Sequence, residues 1–575
     1  MPYQTPPIDS FRPNAVLGPE QAETPFSKRH VSISQEELIE LKRNGNYYRS
    51  QFQRLRLQLK DLAQRIEALK KQHHIEVKAL KAIYEEKIST LEAKVRLREQ
   101  QLFGKKTEKG TTKKDTPSQK NTNNRSRGQQ KGQPGHGRNT HDDLPEKEEF
   151  IELPLEQRCC PTCSKPYMEF PETEDSEIVE IKVKAYKRCI HRKRYKTSCH
   201  CAGHSKLLCA PVASRLIPKG KLGVSIWVML LLGKFNYYYP TARQLRELSD
   251  RGLNLSQGTI TDGLKRISCL FDGLYEHIIE HNQGANRWHA DETRWSVYEE
   301  IPGKIGYRWY LWVFRARESV VYKLNPSRSS AVPKDHFKSS EGILTVDRFS
   351  SYKAMQKTCA VILSYCWAHV RRDFLDLAKK YPEHEAWAMA WVHAIGEIYH
   401  LNHERLKVLS DKEPFIEAHS ALRERMINMF ENLRQSLAQS DDEPPLVCKK
   451  VLISLKKHWK GLRIFVKHPE VPMDNNLAEN SLRGAVVLRK NSRGSGRQWS
   501  GELAAKQMTI LETLKLWNIN VEQWMREYLT LCADHGGKVP PDWEAYLPWK
   551  MTEERLSHFG GSPPLKQRSK GEALT

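Results

Sequence analysis

The chain contains 575 residues, enough for three or more structural units at roughly 100 to 200 residues each. Lys and Arg number 93 against 69 Asp and Glu, which gives a formal net charge of +24. Such an excess favours a polyanionic partner, although a solvent-facing basic surface has the same composition. The apolar runs fall short of the roughly 18 residues of a membrane span, and the first residues lack a secretory signal pattern. We therefore expect no membrane association and a cytoplasmic protein.

The amino-terminal region is predicted to form a leader and a long helix. Residues 1–46 begin with a Pro-, Ser- and Thr-rich leader and continue into a short helix, which the capping-box sequence Ser34-Gln-Glu-Glu37 opens. In residues 47–103 apolar side chains recur every three or four positions, which predicts a coiled coil, or leucine zipper. We expect this helix to form a homo-oligomer; the alternative is an amphipathic helix that packs on its own domain. The seam includes Leu55, Leu59, Leu62, Ile66, Leu69, Leu80, Tyr84, Ile88, Leu91 and Val95.

The next two segments are basic and cysteine-rich. Residues 104–148 are predicted to be a basic linker that lies along a DNA backbone or only tethers its neighbours. Residues 149–210 include six of the 12 cysteines between Cys159 and Cys201, a pattern typical of a zinc-ribbon-like segment in a reducing compartment. Buried cysteines without a metal are the alternative, and His200 or His204 could replace a thiolate. The predicted structural Zn²⁺ ligands are Cys160, Cys163, Cys199 and Cys201.

Residues 211–285 have a helical pattern that includes a candidate DNA-binding helix. The sequence from Leu255 to Arg266 resembles the second half of a helix-turn-helix, and Ser256 is placed to cap that second helix. An ordinary helical hairpin in the core is an equally good interpretation. The residues that the helix would present to DNA are Thr259, Thr261 and Lys265.

Residues 286–518 change to aromatic and β-branched runs, which predict about five strands followed by a helical insertion over residues 375–468. Asp291 and Asp347 lie in or at the end of strand-like runs, and Glu479 opens a helix. Metal-dependent cleavage of a phosphodiester needs hard oxygen ligands that converge from different elements. The three acids are therefore candidate metal ligands. The alternative is that each is a solvated residue at a strand edge or a helix cap.

Basic residues follow Glu479, and the next acid is Glu502. Because several glycines separate them, we interpret this stretch as a flexible basic loop that holds DNA phosphates; solvated charge is the alternative. The predicted contacts are Arg483, Arg489, Lys490, Arg493 and Arg497. Residues 519–550 are predicted to form a carboxyl-terminal helical segment, and residues 551–575 a tail that is loose from His558.

These motifs resemble those of the DDE transposases of the insertion-sequence-66 family. The segments that resemble the family's three acidic motifs are His289-Ala-Asp-Glu-Thr-Arg, Thr345-Val-Asp-Arg-Phe-Ser-Ser-Tyr352 and Asp474-Asn-Asn-Leu-Ala-Glu479. Cys366-Trp-Ala-His-Val-Arg-Arg-Asp-Phe374 is similar to the signature that follows the family's second Asp, and Gln101-Leu-Phe-Gly-Lys-Lys-Thr-Glu-Lys109 to the end of its zipper. The second cysteine pair departs from the family, which more often has two residues between the cysteines.

The resemblance implies an α/β fold class, with an RNase H-like catalytic core that has an α-helical insertion. It implies that Asp291, Asp347 and Glu479 bind two Mg²⁺ ions, or Mn²⁺. Terminal inverted repeats, target DNA and two small accessory proteins of the same element would be the partners, in a bacterial, nucleoid-associated protein. Three residues of the Cys366 motif would orient phosphates or the second carboxylate: His369, Arg371 and Arg372.

We therefore predict an enzyme that cleaves DNA at the ends of a mobile element and joins the 3′ ends to target DNA. One alternative is a non-catalytic repressor that keeps only the DNA-binding parts, and the presence of all three acids argues against it. A second alternative is a structure-specific nuclease without strand transfer.

Overall fold

The computed structural model describes residues 32–103, 154, 161–166, 183–196, 207–439 and 445–564. The leader up to residue 31, the basic linker, most of the cysteine-rich segment and the end of the tail from residue 565 lie outside these ranges. The chain divides into two compact units, Met1–Leu102 and Phe103–Thr575. The described fold is mixed α/β, mostly helical, with a five-stranded mixed sheet in the second unit.

One helix, α1 (Gln35–Phe103), runs through the described part of the first unit. The predicted capping box is confirmed: the Ser34 amide donates to Glu37 Oε2 (2.9 Å), and the Glu37 amide donates to Ser34 Oγ (3.1 Å). The helix is continuous, so the residues predicted to form a short helix and those predicted to form a coiled coil lie in one helix. Apolar residues of the predicted seam are solvent-exposed in the single chain. The exposed fraction is 67% for Leu59 and 64% for Leu69.

The second unit begins with a small hairpin and a group of helices. Strands β1 (Arg194–Lys196) and β2 (Leu207–Cys209) pair antiparallel, with Arg194 opposite Cys209. Helix α2 is apolar on most of its surface and largely buried, whereas α3 and α4 bury one side each, as expected of helices inside and at the edge of a core. The helices are α2 (Val224–Phe235), α3 (Thr241–Asp250), α4 (Gln257–Ile267) and α5 (Asp272–Gln283).

The predicted five strands are confirmed, and they form one sheet in the order β5–β4–β3–β6–β7. Strands β3, β4 and β5 are antiparallel neighbours, and β6 and β7 run parallel to β3. The four consecutive residues from Leu311 to Phe314 on β4 are buried, so both faces of the sheet are covered. The strands are β3 (Arg287–Ser296), β4 (Arg308–Arg315), β5 (Val320–Asn325), β6 (Gly342–Val346) and β7 (Val361–Tyr365).

Helices connect and follow these strands. Short helices α6 (Ala331–His336) and α7 (Ser350–Gln356) precede β6 and β7. A helical region lies between β7 and Glu479, as the sequence pattern predicts, and it begins at Trp367, directly after β7. Its helices are α8 (Trp367–Lys380), α9 (Glu385–Lys407), α10 (Lys412–Ala438), α11 (Leu446–Leu462) and α12 (Ile464–Lys467). The chain continues through α13 (Asn476–Ser492), α14 (Gln498–Leu516), α15 (Val521–Asp534) and α16 (Glu553–His558).

The interpretation of residues 480–497 as a flexible loop is wrong. Helix α13 continues to Ser492 because Ala478, Leu482 and Ala485 recur at helical spacing and are buried. The short segment after it is fixed as well, since the Ser495 amide donates to the backbone oxygen of Ser296 (2.8 Å). Gly494 has φ +116, and a Cβ there would lie 2.3 Å from the same oxygen, so this close approach requires glycine.

The predicted loose tail is also shorter than expected. Residues from 553 form α16, and the following Phe559 is fully buried. The backbone oxygen of Phe559 accepts a hydrogen bond from the Asn520 amide (2.8 Å), so this part of the tail packs on the start of α15. Among the described residues, no helix combines the length and apolar character needed to cross a membrane.

Candidate active site

The first two candidate ligands lie on strand β3 and directly after the adjacent strand β6, at the point from which the strand order of the sheet runs outward to both sides. The last paired residues of the parallel strands β3 and β6 are His289 and Thr345, so Asp291 and Asp347 stand at equivalent positions, each two residues further along. From β3 the chain runs outward on one side to β4 and β5, and on the other side lie β6 and β7. Ligand sites in open α/β sheets form at such a switch point, beyond the carboxyl ends of the strands.

The third acid, Glu479, is brought to this edge by the first turn of α13. Asn475, directly before the helix, is 1% exposed and holds the helix start against β3. Its Nδ2 donates to the Ala290 oxygen (2.8 Å), and its Oδ1 lies 3.1 Å from His289 Nδ1. Its backbone amide contacts Cys366 Sγ (3.3 Å), directly after β7. Asn475 therefore joins the ends of β3 and β7 to the helix that carries Glu479.

The three carboxylates interact electrostatically. Burial raises the pKa of Asp291 to about 7; the negative charges of Glu292, Asp347 and Glu479 add to the rise, and a hydrogen bond from the Glu292 amide opposes it. A carboxylate that is buried beside other acids needs a compensating positive charge to remain ionised. The oxygen donor set and this excess of negative charge fit a hard divalent cation.

The carboxylates are near one another but do not form a ready-made metal cage. In the part of the chain that the structure describes, no group of three or more His, Cys, Asp or Glu side chains is arranged to hold a metal ion. Two of the acids are held instead by local amides: Asp291 Oδ1 accepts from Glu292 N (2.8 Å), and Asp347 Oδ1 from Phe349 N (2.9 Å). Each keeps a second oxygen for another partner.

His369 lies beside the same edge, on the first turn of α8. Its Nε2 is 4.0 Å from Glu479 Oε1. Burial and the charge of Arg372 lower the pKa of His369, while Asp347 and Glu479 oppose this change. Its Nδ1 is buried and has no hydrogen-bond partner among the described residues. The imidazole thus lies beside the third acid and within electrostatic range of the second.

Comparison with known proteins identifies this part of the chain. Residues 219–503, which include the sheet, the helical region and all three acids, match the family described as Transposase IS66 family. The chain carries a transposase domain of the IS66 family. A transposase acts on DNA, so DNA is the partner that the family implies.

The transposase is also similar to three uncharacterized proteins of Sinorhizobium fredii (strain NBRC 101917 / NGR234). It is 25% identical to y4jD over 435 residues, which cover 72% of this chain and 81% of that protein. It is 24% identical to y4hP over 432 residues, or 71% and 76% of the two chains. The match to y4qI is 25% over 373 residues, or 62% and 67%.

Glu292, the neighbour of Asp291 in the transposase, faces the other side of the sheet. Tyr352 on α7 donates to Glu292 Oε2 (2.9 Å), and the Arg328 guanidinium donates to Glu292 Oε1, from Nε at 2.8 Å and also from Nη2. The side chain of Glu292 is 1% exposed, so this is a buried charge with its partner in place. Glu292 is thus occupied in joining β3 to the helix that follows Asp347.

The basic residues of α13 in the transposase have different surroundings. Arg489 is half-buried, and its Nη1 donates to Thr293 Oγ1 (3.2 Å) and to the Arg294 oxygen (2.6 Å), so it fastens α13 to β3. Arg497 is exposed and lies 3.4 Å from Glu299. Of the predicted phosphate contacts on α8, Arg372 is exposed and Arg371 is half-buried. The remaining predicted contacts, Arg483, Lys490 and Arg493, are exposed.

In the transposase, the segment predicted to be the second half of a helix-turn-helix forms α4, and α3 precedes it. Ser256 caps α4, as predicted: its Oγ accepts from the Thr259 amide (3.1 Å). The helix buries Ile260, Leu264 and Ile267, which leaves the opposite side in solvent. The exposed residues include the predicted DNA contacts Thr259, Thr261 and Lys265.

Most of the predicted zinc site of the transposase lies outside the described residues. This holds for Cys160, Cys199 and Cys201, and for the possible substitutes His200 and His204. Cys163 is described and exposed. Strands β1 and β2 flank the second cysteine pair in sequence. The zinc ligands remain a prediction.

Sequence patterns did not identify Asn475 or Arg348 as parts of the site. The preference of Asn for helix starts was the available signal for Asn475. Arg348 follows Asp347; its Nη2 pairs with Asp373 of α8 and its Nη1 donates to Ser454 of α11 (3.2 Å). The only indication in the sequence that Arg348 connects the second acid to α8 and α11 was its position directly after Asp347.

Proposed function

We propose that this transposase cleaves DNA at the ends of a mobile element and joins the freed 3′ ends to target DNA. The observation that carries the proposal is the gathering of Asp291, Asp347 and Glu479 from two strands and a helix at one edge of the sheet. The strand order, with an antiparallel β3–β4–β5 half and a parallel β6–β7 half, supports an RNase H-like core. The helices between β7 and α13 would then be its insertion.

Asp291, Asp347 and Glu479 would hold two Mg²⁺ or Mn²⁺ ions. Divalent ions bound there would stabilise the charge on the reacting phosphate and on the attacking and leaving oxygens. The free carboxylate oxygens, together with phosphate oxygens of the DNA, would supply the ligands. Asn475 holds Glu479 close to Asp291, and His369 would hold a phosphate or orient Asp347.

The reaction would proceed in two displacements at phosphorus. Water attacks the phosphodiester at the element end, the P–O bond to the 3′ oxygen breaks, and a 3′-hydroxyl is released. That hydroxyl then attacks a target phosphodiester, so a new P–O bond forms as the target strand breaks. The protein forms no covalent bond with DNA in either step.

Other parts of the chain would bring the DNA ends to this site. Thr259, Thr261 and Lys265 on α4 would contact the terminal inverted repeats, and Arg483, Lys490, Arg493 and Arg497 would hold phosphates beside Glu479. The apolar seam of α1 would form a homo-oligomer that pairs two ends, and Cys160, Cys163, Cys199 and Cys201 would bind structural Zn²⁺. Two small accessory proteins of the element would assist a nucleoid-associated complex.

The proposal is tested by Mg²⁺-dependent nicking of labelled duplex DNA that carries the element's own terminus. We expect cleavage by the wild type and by Glu431→Gln, a control in which an exposed acid of α10 is neutralised, and none by Glu479→Gln. Cleavage by Glu479→Gln would contradict the role of the third acid. If the wild type binds but does not cleave, the accessory proteins are added; continued inactivity would favour the repressor hypothesis.

Strand transfer needs a separate assay. A duplex with a pre-formed 3′-hydroxyl at the element end is incubated with a supercoiled plasmid, and joined products are resolved by gel electrophoresis. The proposal predicts Mg²⁺-dependent joining that requires Asp291. Nicking without joining would instead support a structure-specific nuclease.

A further inference from the structure

Helix α11 has an unusual charge distribution for a surface helix. Its sequence, Leu446–Leu462, contains five lysines and no acid. It buries Leu452, Leu455 and Trp459 in the core of the helical region. Its solvent side carries Lys450, Lys456, Lys457 and Lys460, all exposed.

The neighbouring helix α10 shows that this is not a general property of the region. The solvent side of α10 has both signs of charge, with acids at Glu424 and Glu431 and bases at Arg423 and Arg434. Such mixing is typical of a helix that only faces water. The exclusively positive charge on the solvent side of α11 therefore requires its own explanation.

Helix α11 is connected directly to the candidate active site. Arg348, the residue after Asp347, donates from Nη1 to Ser454 Oγ on α11 (3.2 Å). Lys457 and Lys450 lie three and four residues from Ser454, so all three share one side of the helix. Gly461 permits close packing on β7, since a Cβ there would lie 2.4 Å from the Tyr365 ring.

Positive charges converge where α11 meets α7. Burial, followed by the charges of Lys457 and Arg348, lowers the pKa of Lys353 on α7, and the negative charge of Asp347 opposes this change. Burial also lowers the pKa of His458 to about 4, and the positive charges of Lys353, Arg348 and Lys457 act in the same direction. Within the described ranges, Arg348 pairs with Asp373, but Lys353 and Lys457 have no acid within salt-bridge distance.

We propose that Lys353, Lys450, Lys456, Lys457 and Lys460 form a track that binds the phosphate backbone of duplex DNA and leads it to Asp347. Like charges that approach one another cost free energy where no acid pairs with them, as at Lys353 and Lys457, and a polyanion would offset this cost. From Lys450 to Lys460 the helix extends about 15 Å, at 1.5 Å per residue. The phosphates of one DNA strand are spaced roughly 3.4 Å along the duplex axis, so several fall within this length.

The track deepens the proposed function and rests on it, because the track ends beside the second acid. Its lysines bind phosphates, which carry no sequence information. The track would therefore hold the element end or the target DNA near the carboxylates, while sequence recognition is left to other parts of the chain.

The test compares two triple variants of the full chain, both in an Asp291→Asn background that prevents cleavage. The track variant is Lys456→Gln/Lys457→Gln/Lys460→Gln. The control is Lys412→Gln/Arg423→Gln/Arg434→Gln, which removes the same charge from exposed positions on α10. The dissociation constant is measured at several salt concentrations, with a duplex that carries the element terminus and with an unrelated duplex.

The logarithm of the binding constant falls linearly with the logarithm of the salt concentration, and each phosphate that the protein neutralises contributes about 0.9 to the magnitude of this slope. For the track variant, which lacks three lysines, we therefore expect the magnitude of the slope to decrease by roughly two to three. The decrease should be the same on both duplexes, and the control should keep the parental slope. Equal slopes for the track variant and the control would overturn the proposal. If the triple variant does not fold, Lys457→Gln and Lys460→Gln are measured singly, each with an expected change of about 0.9.

The inactive background separates this proposal from the proposed catalysis. A reduced slope in Asp291→Asn protein supports the track regardless of whether the wild type cleaves DNA. Conversely, an unchanged slope in a chain whose wild type cleaves DNA overturns the track and leaves the catalytic proposal intact.

Discussion

Asn475 Nδ2 donates a 2.8 Å hydrogen bond to the backbone oxygen of Ala290, 185 positions earlier in the chain. Ala290 directly precedes Asp291, and Asn475 directly precedes the helix that carries Glu479. The bond therefore sets the distance between the first and third acids. It is made in a buried environment, where a hydrogen bond is difficult to replace by water.

Asn475→Ala should reduce cleavage by about 10- to 100-fold, because a displacement of roughly 1 Å at a catalytic group can cost that much. The loss of the two side-chain hydrogen bonds should also destabilise the fold by about 1 to 3 kcal/mol. The half-saturating Mg²⁺ concentration in the nicking assay should rise, which a change in stability alone would not produce. The control is Asn476→Ala, at the exposed neighbouring position. Equal activity of both variants would contradict the positioning role.

Asp291→Asn should abolish cleavage and leave DNA binding intact. In metal-free buffer near neutral pH the variant should also have a higher Tm than the wild type, because it removes a buried negative charge from beside Glu292, Asp347 and Glu479. Added Mg²⁺ or Mn²⁺ should raise the Tm of the wild type, as any ligand of the native state does, and not that of the variant. Differential scanning calorimetry with and without metal measures both effects. The same metal response in the two proteins would argue against Asp291 as a ligand.

Arg328→Ala should destabilise the transposase domain because it leaves Glu292 buried without its partner. Breaking a fully buried ion pair costs about 3 to 5 kcal/mol; since the side chain of Arg328 is 42% exposed, we expect about 2 to 3 kcal/mol. Urea denaturation measures the change. Arg497→Ala, which removes the partner of Glu299 at the surface, should change stability by less than about 1 kcal/mol. A similar effect of both substitutions would contradict the structural role of the Glu292 pair.

Gly461→Ala and Gly396→Ala should change stability in opposite directions. A Cβ at Gly461 would lie 2.4 Å from the Tyr365 ring and 2.9 Å from the Leu363 oxygen, so α11 must move away from β7. We expect a loss of about 1 to 3 kcal/mol, typical of overpacking. Gly396 on α9 has no neighbouring atom within 4 Å of the same position, so alanine should stabilise that helix by up to about 1 kcal/mol. Thermal unfolding of the two variants checks the sign of each change.

Local sequence patterns were sufficient for much of the fold. The five strands, the capping box at Ser34, the cap of α4 at Ser256 and the helix that Glu479 opens are all present in the structure. These features depend on neighbouring residues, through the alternation of side chains along a strand and the unpaired amides at a helix start. The same local view mistook residues 480–492 for a loop, since the glycine and arginine content hid the apolar spacing of α13.

The sequence by itself determined which residues have the chemistry of a catalytic site: Asp291, Asp347 and Glu479 in a basic chain. Only the tertiary structure decided how they are placed, because the contacts that gather them join distant parts of the chain. Asn475 fastens the third acid to β3, Glu292 is held by Tyr352 of α7, and Ser454 of α11 contacts Arg348, the residue after Asp347. Such contacts leave no periodic signal, since they depend on which surfaces meet when the sheet and helices pack.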